Sequence, residues 1–250
     1  MGDPIVNQVL RERFGLRELR PVQGQVIARV LAGGDALVVL PTGSGKSLCY
    51  QLPALVLTER RRLAGEAPGM ALVFSPLIAL MEDQVSALRS RGIRASYVNS
   101  ALSRKERDAR YARMAQGEFE LMYATPERML KPAFVDALAH VPGGVNLVAV
   151  DECHCISRWG HDLRPAYARV GAFIRDLAHP VAVALTATAT AEVRRDVRAV
   201  LDRDDVAMPL FATPIDRPNL ALSAEDVWDD DDKCRRIRET AAELAGTGIV

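Results

Sequence analysis

The residues best suited to chemistry lie in the stretch 36–51, whose sequence is ALVVLPTGSGKSLCYQ. Gly43 and Gly45 can adopt positive φ and let the backbone approach a ligand closely. A helix predicted from Gly45 onward would point its first N–H groups at an anion. Lys46 adds a charge suited to the β and γ phosphates of a nucleotide, and the Ser47 hydroxyl suits Mg²⁺. The stretch predicts a phosphate-binding loop, with contacts from Thr42, Gly43, Ser44, Gly45, Lys46 and Ser47.

The match to the usual phosphate-loop pattern has one departure. The strict pattern G-x-x-x-x-G-K-[ST] requires glycine at position 40, where this chain has Leu40. The alternative is an ordinary glycine-rich turn before a helix. An apolar strand before the glycines and a Lys-Ser pair after them favour the phosphate loop.

A second candidate group follows the apolar run 147–150, which ends in Asp151 and Glu152. In a phosphate-transfer site, Asp151 would hold Mg²⁺ through water, and Glu152 would orient and deprotonate an attacking water molecule. A solvated acidic turn is the alternative, and the phosphate loop upstream argues against it.

Composition restricts the class of protein. The 250 residues are 49% hydrophobic and 26% charged with no net charge, so contacts with nucleic acid must come from a local patch. The four cysteines form no paired C-x-x-C set and indicate neither zinc nor a disulfide framework, which fits a reducing cytosol. No apolar run approaches the roughly 20 residues of a membrane span, and a cytoplasmic protein is expected.

The elements that would position these residues alternate between strands and helices. Apolar runs predict strands at 36–40, 70–75, 95–99, 120–124, 147–150 and 181–185. Helices are predicted at 7–14, 21–31, 77–91, about 104–115 with a Ser103–Glu106 capping box, 191–201 and 233–244, and an exposed loop at 58–69. Near-continuous apolar strands predict a parallel α/β sheet covered on both faces. Polar residues cluster at the strand ends, at 41–47, 75–77, 125–127, 151–154 and 186–190, where such sheets bind ligands.

These segments resemble the RecQ family of DNA helicases, within superfamily two, over most of the chain. PTGSGKSLCYQLPAL (41–55) resembles motif I, FSPLIALMEDQV (74–85) motif Ia, YATPERML (123–130) motif Ib, DECHCISRWGHDLRPAY (151–167) motif II with its aromatic-rich loop, and ALTATAT (184–190) motif III. The resemblance implies a P-loop NTPase fold with a RecA-like parallel sheet, and ATP and Mg²⁺ as cofactors.

The resemblance also implies roles for individual residues. FGLRELRPVQ (14–23) resembles the adenine-reading motif, in which Gln23 would bond the adenine edge and Arg20 would stack on the ring. The family usually has aromatic residues in place of Leu16 and Leu19, and Phe in place of Leu163. DNA binding or its coupling to the nucleotide site would involve Ser75, Pro76, Thr125, Pro126, His154, Trp159, His161, Arg164, Thr186 and Thr188. For Trp159, a place in the core is the alternative.

The resemblance predicts the domain plan and the activity. We expect N-terminal helices with the adenine-reading motif at 1–30, a first RecA-like lobe at 31–208, and a crossover into a truncated second lobe at 209–250. The expected activity is ATP-dependent 3′-to-5′ unwinding of DNA in repair and recombination, with Lys46 and Glu152 as catalytic residues and single-stranded or partly duplex DNA as partner. Without the second lobe, the segment itself is expected to be inactive. A truncated, non-catalytic ATP- or DNA-binding module is the alternative, and a P-loop kinase or transporter ATPase is disfavoured because the TPERML and RWGHD segments have no role there.

Overall fold

The computed structural model of the chain describes residues 3–157, 164–177, 180–202, 207–213 and 223–243. The strands are β1 (Ala36–Val39), β2 (Met70–Phe74), β3 (Ala95–Val98), β4 (Leu121–Ala124), β5 (Val145–Val150), β6 (Val181–Thr186) and β7 (Leu210–Ala212). The helices are α1 (Pro4–Phe14), α2 (Pro21–Leu31), α3 (Leu48–Leu63), α4 (Ile78–Ser90), α5 (Arg104–Ala115), α6 (Pro132–Ala139), α7 (Val170–Asp176), α8 (Ala191–Leu201) and α9 (Asp230–Glu243). Short 3-10 helices cover Pro126–Leu130, Cys153–Ile156 and Tyr167–Arg169.

The strands form one seven-stranded sheet in the order β3-β4-β2-β5-β6-β1-β7, and its strand pairs are parallel. The sheet separates two apolar layers. Alternate residues of each strand point to opposite faces, so that Val38 packs with α1 to α4 whereas Leu37 packs on the side of α5 to α8. This arrangement confirms the predicted parallel α/β sheet flanked by helices.

All parallel strands end at one edge of the sheet, so the loops that follow them share that edge. The phosphate-loop candidate follows β1, the acidic pair follows β5, and the segment 187–190 follows β6. Because β6 lies between β1 and β5, the side chain at its end can reach both neighbouring loops.

Most predicted elements are present within one or two residues of their expected bounds, but the predicted loop at 58–69 is wrong at its start. Helix α3 continues to Leu63, because Thr58 is buried against the core and the arginines that follow find partners. Arg60 pairs with Asp3, and Arg62 pairs with Glu59. The same helix begins at Leu48 and not at Gly45, whose left-handed backbone ends the loop.

Helices α1 and α9 begin earlier than predicted because acidic residues stabilise their N-termini. Asp3 accepts hydrogen bonds from the backbone of Ile5 and Val6, so α1 begins at Pro4. Helix α9 begins at Asp230 and not at residue 233, because an acidic run forms its first turn and Asp229 accepts a hydrogen bond from the Asp232 amide. Negative charge at a helix N-terminus is favoured by the helix dipole.

Three elements were not predicted, namely α6, α7 and β7. Strand β7 has only three residues and pairs with β1 in the register Leu37↔Leu210. A run this short carries no periodic signal, and its place in the sheet depends on β1, far away in the sequence.

The chain divides into two compact units, Met1–Pro214 and Ile215–Val250. In the first unit, α1 and α2 both pack against α3. In the second, α9 has no buried residue. The predicted division at 1–30, 31–208 and 209–250 stays a prediction.

Candidate functional site

The loop between β1 and α3 has the backbone that a phosphate-binding loop requires. Gly43 and Gly45 have φ values of 79° and 80°, in the left-handed region that favours glycine. A Cβ atom on Gly45 would lie 2.5 Å from the side-chain nitrogen of Gln23. Any other residue at position 45 would be strained by the left-handed backbone, and its Cβ atom would displace the Gln23 amide.

Gln23 is buried and holds the loop from the side of α2. Its side-chain nitrogen donates to the carbonyls of Ser44 and Gly45 at 3.1 and 3.2 Å, and its oxygen accepts from the Arg20 amide at 2.9 Å. Both donor hydrogens are thus used by the loop. The sequence predicted Gln23 and Arg20 as adenine contacts, and the structure adds a direct link between this segment and the phosphate loop.

The acidic pair lies at the end of the buried strand β5. The Glu152 amide donates to Asp151 Oδ1 at 3.0 Å, and Glu152 adopts φ of 49°. Burial, followed by the neighbouring Glu152 charge, raises the pKa of Asp151 to about 6. Lys46 lies close enough to both carboxylates to favour their charged forms. The structure therefore brings together the cation of the loop and the two acids that the sequence predicted.

His154 joins the acidic pair to the end of β6. Its Nδ1 lies 3.2 Å from Glu152 Oε2 and 2.9 Å from Thr186 Oγ1. Hydrogen bonding to His154 lowers the pKa of Glu152, while the side chains of Cys155 and then Glu152 raise the pKa of His154 to about 10. Thr186 Oγ1 in turn donates to the Thr188 carbonyl at 3.0 Å. A continuous chain of contacts thus runs from Glu152 to the exposed residue Thr188.

The four residues predicted for DNA at the ends of β2 and β4 are buried, and their side chains do not form an exposed surface. This set comprises Ser75, Pro76, Thr125 and Pro126. Arg164 Nη1 donates to the Pro76 carbonyl at 3.1 Å, and its backbone amide donates to the Cys155 carbonyl. Arg164 therefore ties the segment after the acidic pair to the end of β2. Trp159 and His161 lie outside the described residues.

Sequence reasoning missed a polar network beneath the loop. The hydroxyls of Tyr50 and Tyr123 lie 3.2 Å apart, and Gln51 Nε2 donates to Tyr123 Oη at 3.0 Å. Burial, Tyr123 and the Asp151 charge raise the pKa of Tyr50, and the Ser47 side chain lowers it. The available signal was the pair Tyr50-Gln51, two polar side chains at the start of a helix whose residues 52–57 are apolar.

These residues fit a magnesium ion. Ser47 and Asp151 both influence the pKa of Tyr50, so the predicted hydroxyl and carboxylate ligands lie near the same tyrosine. A cation would also offset the burial that disfavours the charged form of Asp151. The described residues contain no cluster of three or more His, Cys, Asp or Glu side chains that could hold a metal. Mg²⁺ bound to phosphates needs few protein ligands because it keeps several waters.

A parallel sheet with a glycine loop after one strand and an acidic pair after another defines a P-loop NTPase with a RecA-like fold. The sequence profile described as DEAD/DEAH box helicase matches residues 20–197. The chain belongs to this family, whose members use ATP.

Relatives and solved structures agree with this assignment. The chain is 40% identical to a probable ATP-dependent DNA helicase RecS of Bacillus subtilis over 98% of its own length and 46% of the relative. It is 43% identical to the ATP-dependent DNA helicase RecQ of the same organism over 76% of its length and 30% of the relative. The predicted resemblance to RecQ helicases is therefore confirmed, and the chain spans less than half the length of these relatives.

Two solved structures share the fold. One is the helicase MrfA bound to DNA, with a TM-score of 0.65 and 21% identity over 84% of this chain and 29% of that one. The other is the helicase Lhr of Mycobacterium smegmatis bound to single-stranded DNA and AMP-PNP, with a TM-score of 0.62 and 21% identity over 85% of this chain and 28% of that one. Among the helices that the structure describes, none is long and apolar enough to cross a membrane.

Proposed function

We propose that this chain is the first motor lobe of an ATP-dependent 3′-to-5′ DNA helicase of the RecQ type. The observation that carries the proposal is the convergence of Lys46, Asp151 and Glu152 at one edge of the sheet, with His154 bonded to both Glu152 and Thr186. The relatives named as ATP-dependent DNA helicases support ATP and DNA as the substrates. The proposed activity implies a cytoplasmic protein, associated with the nucleoid if its source is a bacterium.

Each residue has a distinct part in the proposed reaction. The loop backbone and Lys46 bind the β and γ phosphates. Arg20 and Gln23 would contact the base, Gln23 by giving up a contact that it makes with the loop in this structure. Ser47 and Asp151 would hold Mg²⁺, which neutralises charge on the phosphates when bound. Glu152 orients the attacking water and takes its proton, since phosphate transfer depends mostly on positioning and charge stabilisation.

The contact from Glu152 through His154 to Thr186 supports coupling between hydrolysis and DNA. A change in the position of Glu152 during hydrolysis would alter its 3.2 Å contact with His154 and the 2.9 Å contact beyond it. Thr188, Arg164 and the segment containing Trp159 and His161 are the proposed DNA-side residues. The backbones after β2 and β4, at Ser75, Pro76, Thr125 and Pro126, complete the proposed DNA path.

The decisive experiment compares the 250-residue chain with a version extended through a second lobe. We expect the short chain to bind Mg·ATP weakly, hydrolyse it slowly and unwind nothing, because an arginine finger is worth about 10³–10⁵ in rate in related sites. The extended chain should unwind a 3′-tailed duplex and lose that activity on Lys46→Ala. Lys105→Ala, which removes an exposed lysine of α5, is the matched control.

Two outcomes would contradict the proposal. Robust unwinding by the short chain would rule out its role as one lobe of a two-lobe motor. Absence of DNA-stimulated hydrolysis in the extended chain would instead favour a non-catalytic binding module.

A further inference from the structure

A buried polar network connects helix α3, which follows the phosphate loop, to strand β4 and helix α4. Tyr50 of α3 and Tyr123 of β4 are each about 1% exposed, and their rings meet edge to face at a centroid distance of 6.4 Å. Gln51 Nε2 donates to the Tyr123 hydroxyl and, at 2.9 Å, to Gln84 Oε1 of α4. Buried polar groups are costly unless they are satisfied, and a satisfied network is rigid.

The network ends on the residue proposed to bind the metal. Ser47 and Tyr50 are three residues apart at the start of α3, which places them on one side of the first turn. Burial raises the pKa of Tyr50, and the Ser47 hydroxyl, acting as a hydrogen-bond donor, partly lowers it. A serine hydroxyl has one proton and two lone pairs. To bind a cation through a lone pair, Ser47 must direct its proton elsewhere.

We propose that Tyr50, held in place by Tyr123, is a positioning residue that accepts the Ser47 proton and so directs the Ser47 oxygen toward the magnesium ion. With Tyr50 as donor to Tyr123, the Tyr50 oxygen is left to accept from Ser47. Mg²⁺ demands near-octahedral geometry, so the orientation of one ligand oxygen affects its affinity. This inference rests on the proposed function, which supplies the role of Ser47.

The network also makes this orientation depend on the position of other elements. Tyr123 lies two residues before Thr125, and Gln84 lies in the helix that follows Ser75 and Pro76. Each contact depends on hydroxyl or amide groups that have no other role in the proposed reaction. Removing one hydroxyl should therefore change metal binding while leaving the phosphate contacts in place.

The test measures binding of N-methylanthraniloyl-ADP to the 250-residue chain by fluorescence while Mg²⁺ is titrated. For Tyr50→Phe, we expect the affinity without Mg²⁺ to stay within about twofold and the Mg²⁺ midpoint to rise about three- to tenfold, the effect of one hydrogen bond. Tyr123→Phe should shift the midpoint in the same direction. The double variant should shift the Mg²⁺ midpoint by less than the product of the two single effects, since both tyrosines act through the same series of hydrogen bonds.

Tyr111→Phe is the matched control, because Tyr111 is a buried tyrosine in the apolar layer on the opposite face of the sheet. An unchanged Mg²⁺ midpoint in Tyr50→Phe would overturn the inference. Equal weakening with and without Mg²⁺ would also overturn it, because Tyr50 would then support the fold and not the metal. Failure of the unmodified chain to bind the nucleotide under either condition would instead contradict the proposed function.

Discussion

Glu152 combines a strained backbone with a position at the centre of the site. Among the residues that the structure describes, it is the one non-glycine residue with positive φ, at 49°. A side chain in this region costs about 1–2 kcal/mol. The strain persists because the Glu152 amide bonds Asp151 and its carboxylate contacts His154.

The strain at Glu152 can be measured with a pair of substitutions. Glu152→Gly and Glu152→Ala both remove the carboxylate, but only glycine tolerates positive φ without cost. We expect the glycine variant to have a free energy of unfolding about 1 kcal/mol higher than the alanine variant, measured by urea denaturation. Equal stabilities would mean that the backbone relaxes when the side chain is removed.

The carboxylate itself is tested by Glu152→Gln in the chain extended through a second lobe. The amide keeps the size of the side chain but cannot take a proton from water, so nucleotide binding should persist while turnover falls by about 10²–10⁴. Calorimetry and steady-state ATPase assays measure the two effects. Glu192→Gln, at an exposed position in α8, is the control, and loss of binding in Glu152→Gln would assign Glu152 a structural role.

At the level of single residues, the sequence predicted the parts of the site that are adjacent in the chain. Gly43, Gly45 and Lys46 form one local pattern, and Asp151 with Glu152 forms another. The contacts of Gln23 with the loop and of Tyr50 with Tyr123 join distant segments. A buried tyrosine has the same sequence signature whether its hydroxyl orients a ligand or only completes the core, so these contacts were not predictable.

Among the elements, the edge strand β3 shows how the sheet avoids further pairing. Its outward carbonyls at Ala95 and Tyr97 accept hydrogen bonds from Arg89 Nε at 2.8 Å and Arg110 Nη1 at 2.6 Å. Arg110 also lies over the Tyr97 ring at 4.2 Å. Charged side chains on an edge strand hinder the addition of a strand from another molecule.

Removing both arginines should expose this edge. For Arg89→Ala combined with Arg110→Ala, we expect concentration-dependent self-association, measured by light scattering, because two edge carbonyls lose their partners. Arg104→Ala combined with Arg195→Ala removes the same charge from exposed positions and is the control. Equal association in both double variants would attribute the effect to net charge and not to the strand edge.

The elements that the sequence failed to predict share one physical cause, which is their dependence on contacts with other parts of the fold. Helix α3 extends through the charged segment 58–63 because Arg60 and Arg62 find acidic partners, one of them distant in the sequence. Strand β7 gains its structure from pairing with β1. Local propensity is sufficient to predict the long apolar strands and the capped helices, whereas residues 58–63 and strand β7 depend on tertiary contacts.

For the whole molecule, the absence of net charge limits the affinity of the proposed binding to DNA. Each phosphate neutralised on a single strand adds about 0.7 to the slope of log affinity against log salt concentration. For the 250-residue chain alone we expect weak binding to single-stranded DNA with a slope near −2, equivalent to about three phosphates. Fluorescence anisotropy at several salt concentrations measures it, and a slope steeper than about −4 would reveal an extended basic surface.

The strand order also determines when the site can form during synthesis. Strand β1 carries the phosphate loop, yet it pairs with β6 and β7, and the Asp35 side chain accepts a hydrogen bond from the Ala182 amide 147 residues later. At about 5–20 residues per second, the ribosome needs roughly ten seconds or more to produce those partners. Until then β1 lacks its sheet neighbours, and its apolar side chains are available to chaperones or to other nascent chains. The candidate nucleotide site is consequently among the last parts of the sheet to form, and a chain interrupted before β6 would have the loop sequence without the neighbouring strand of β1.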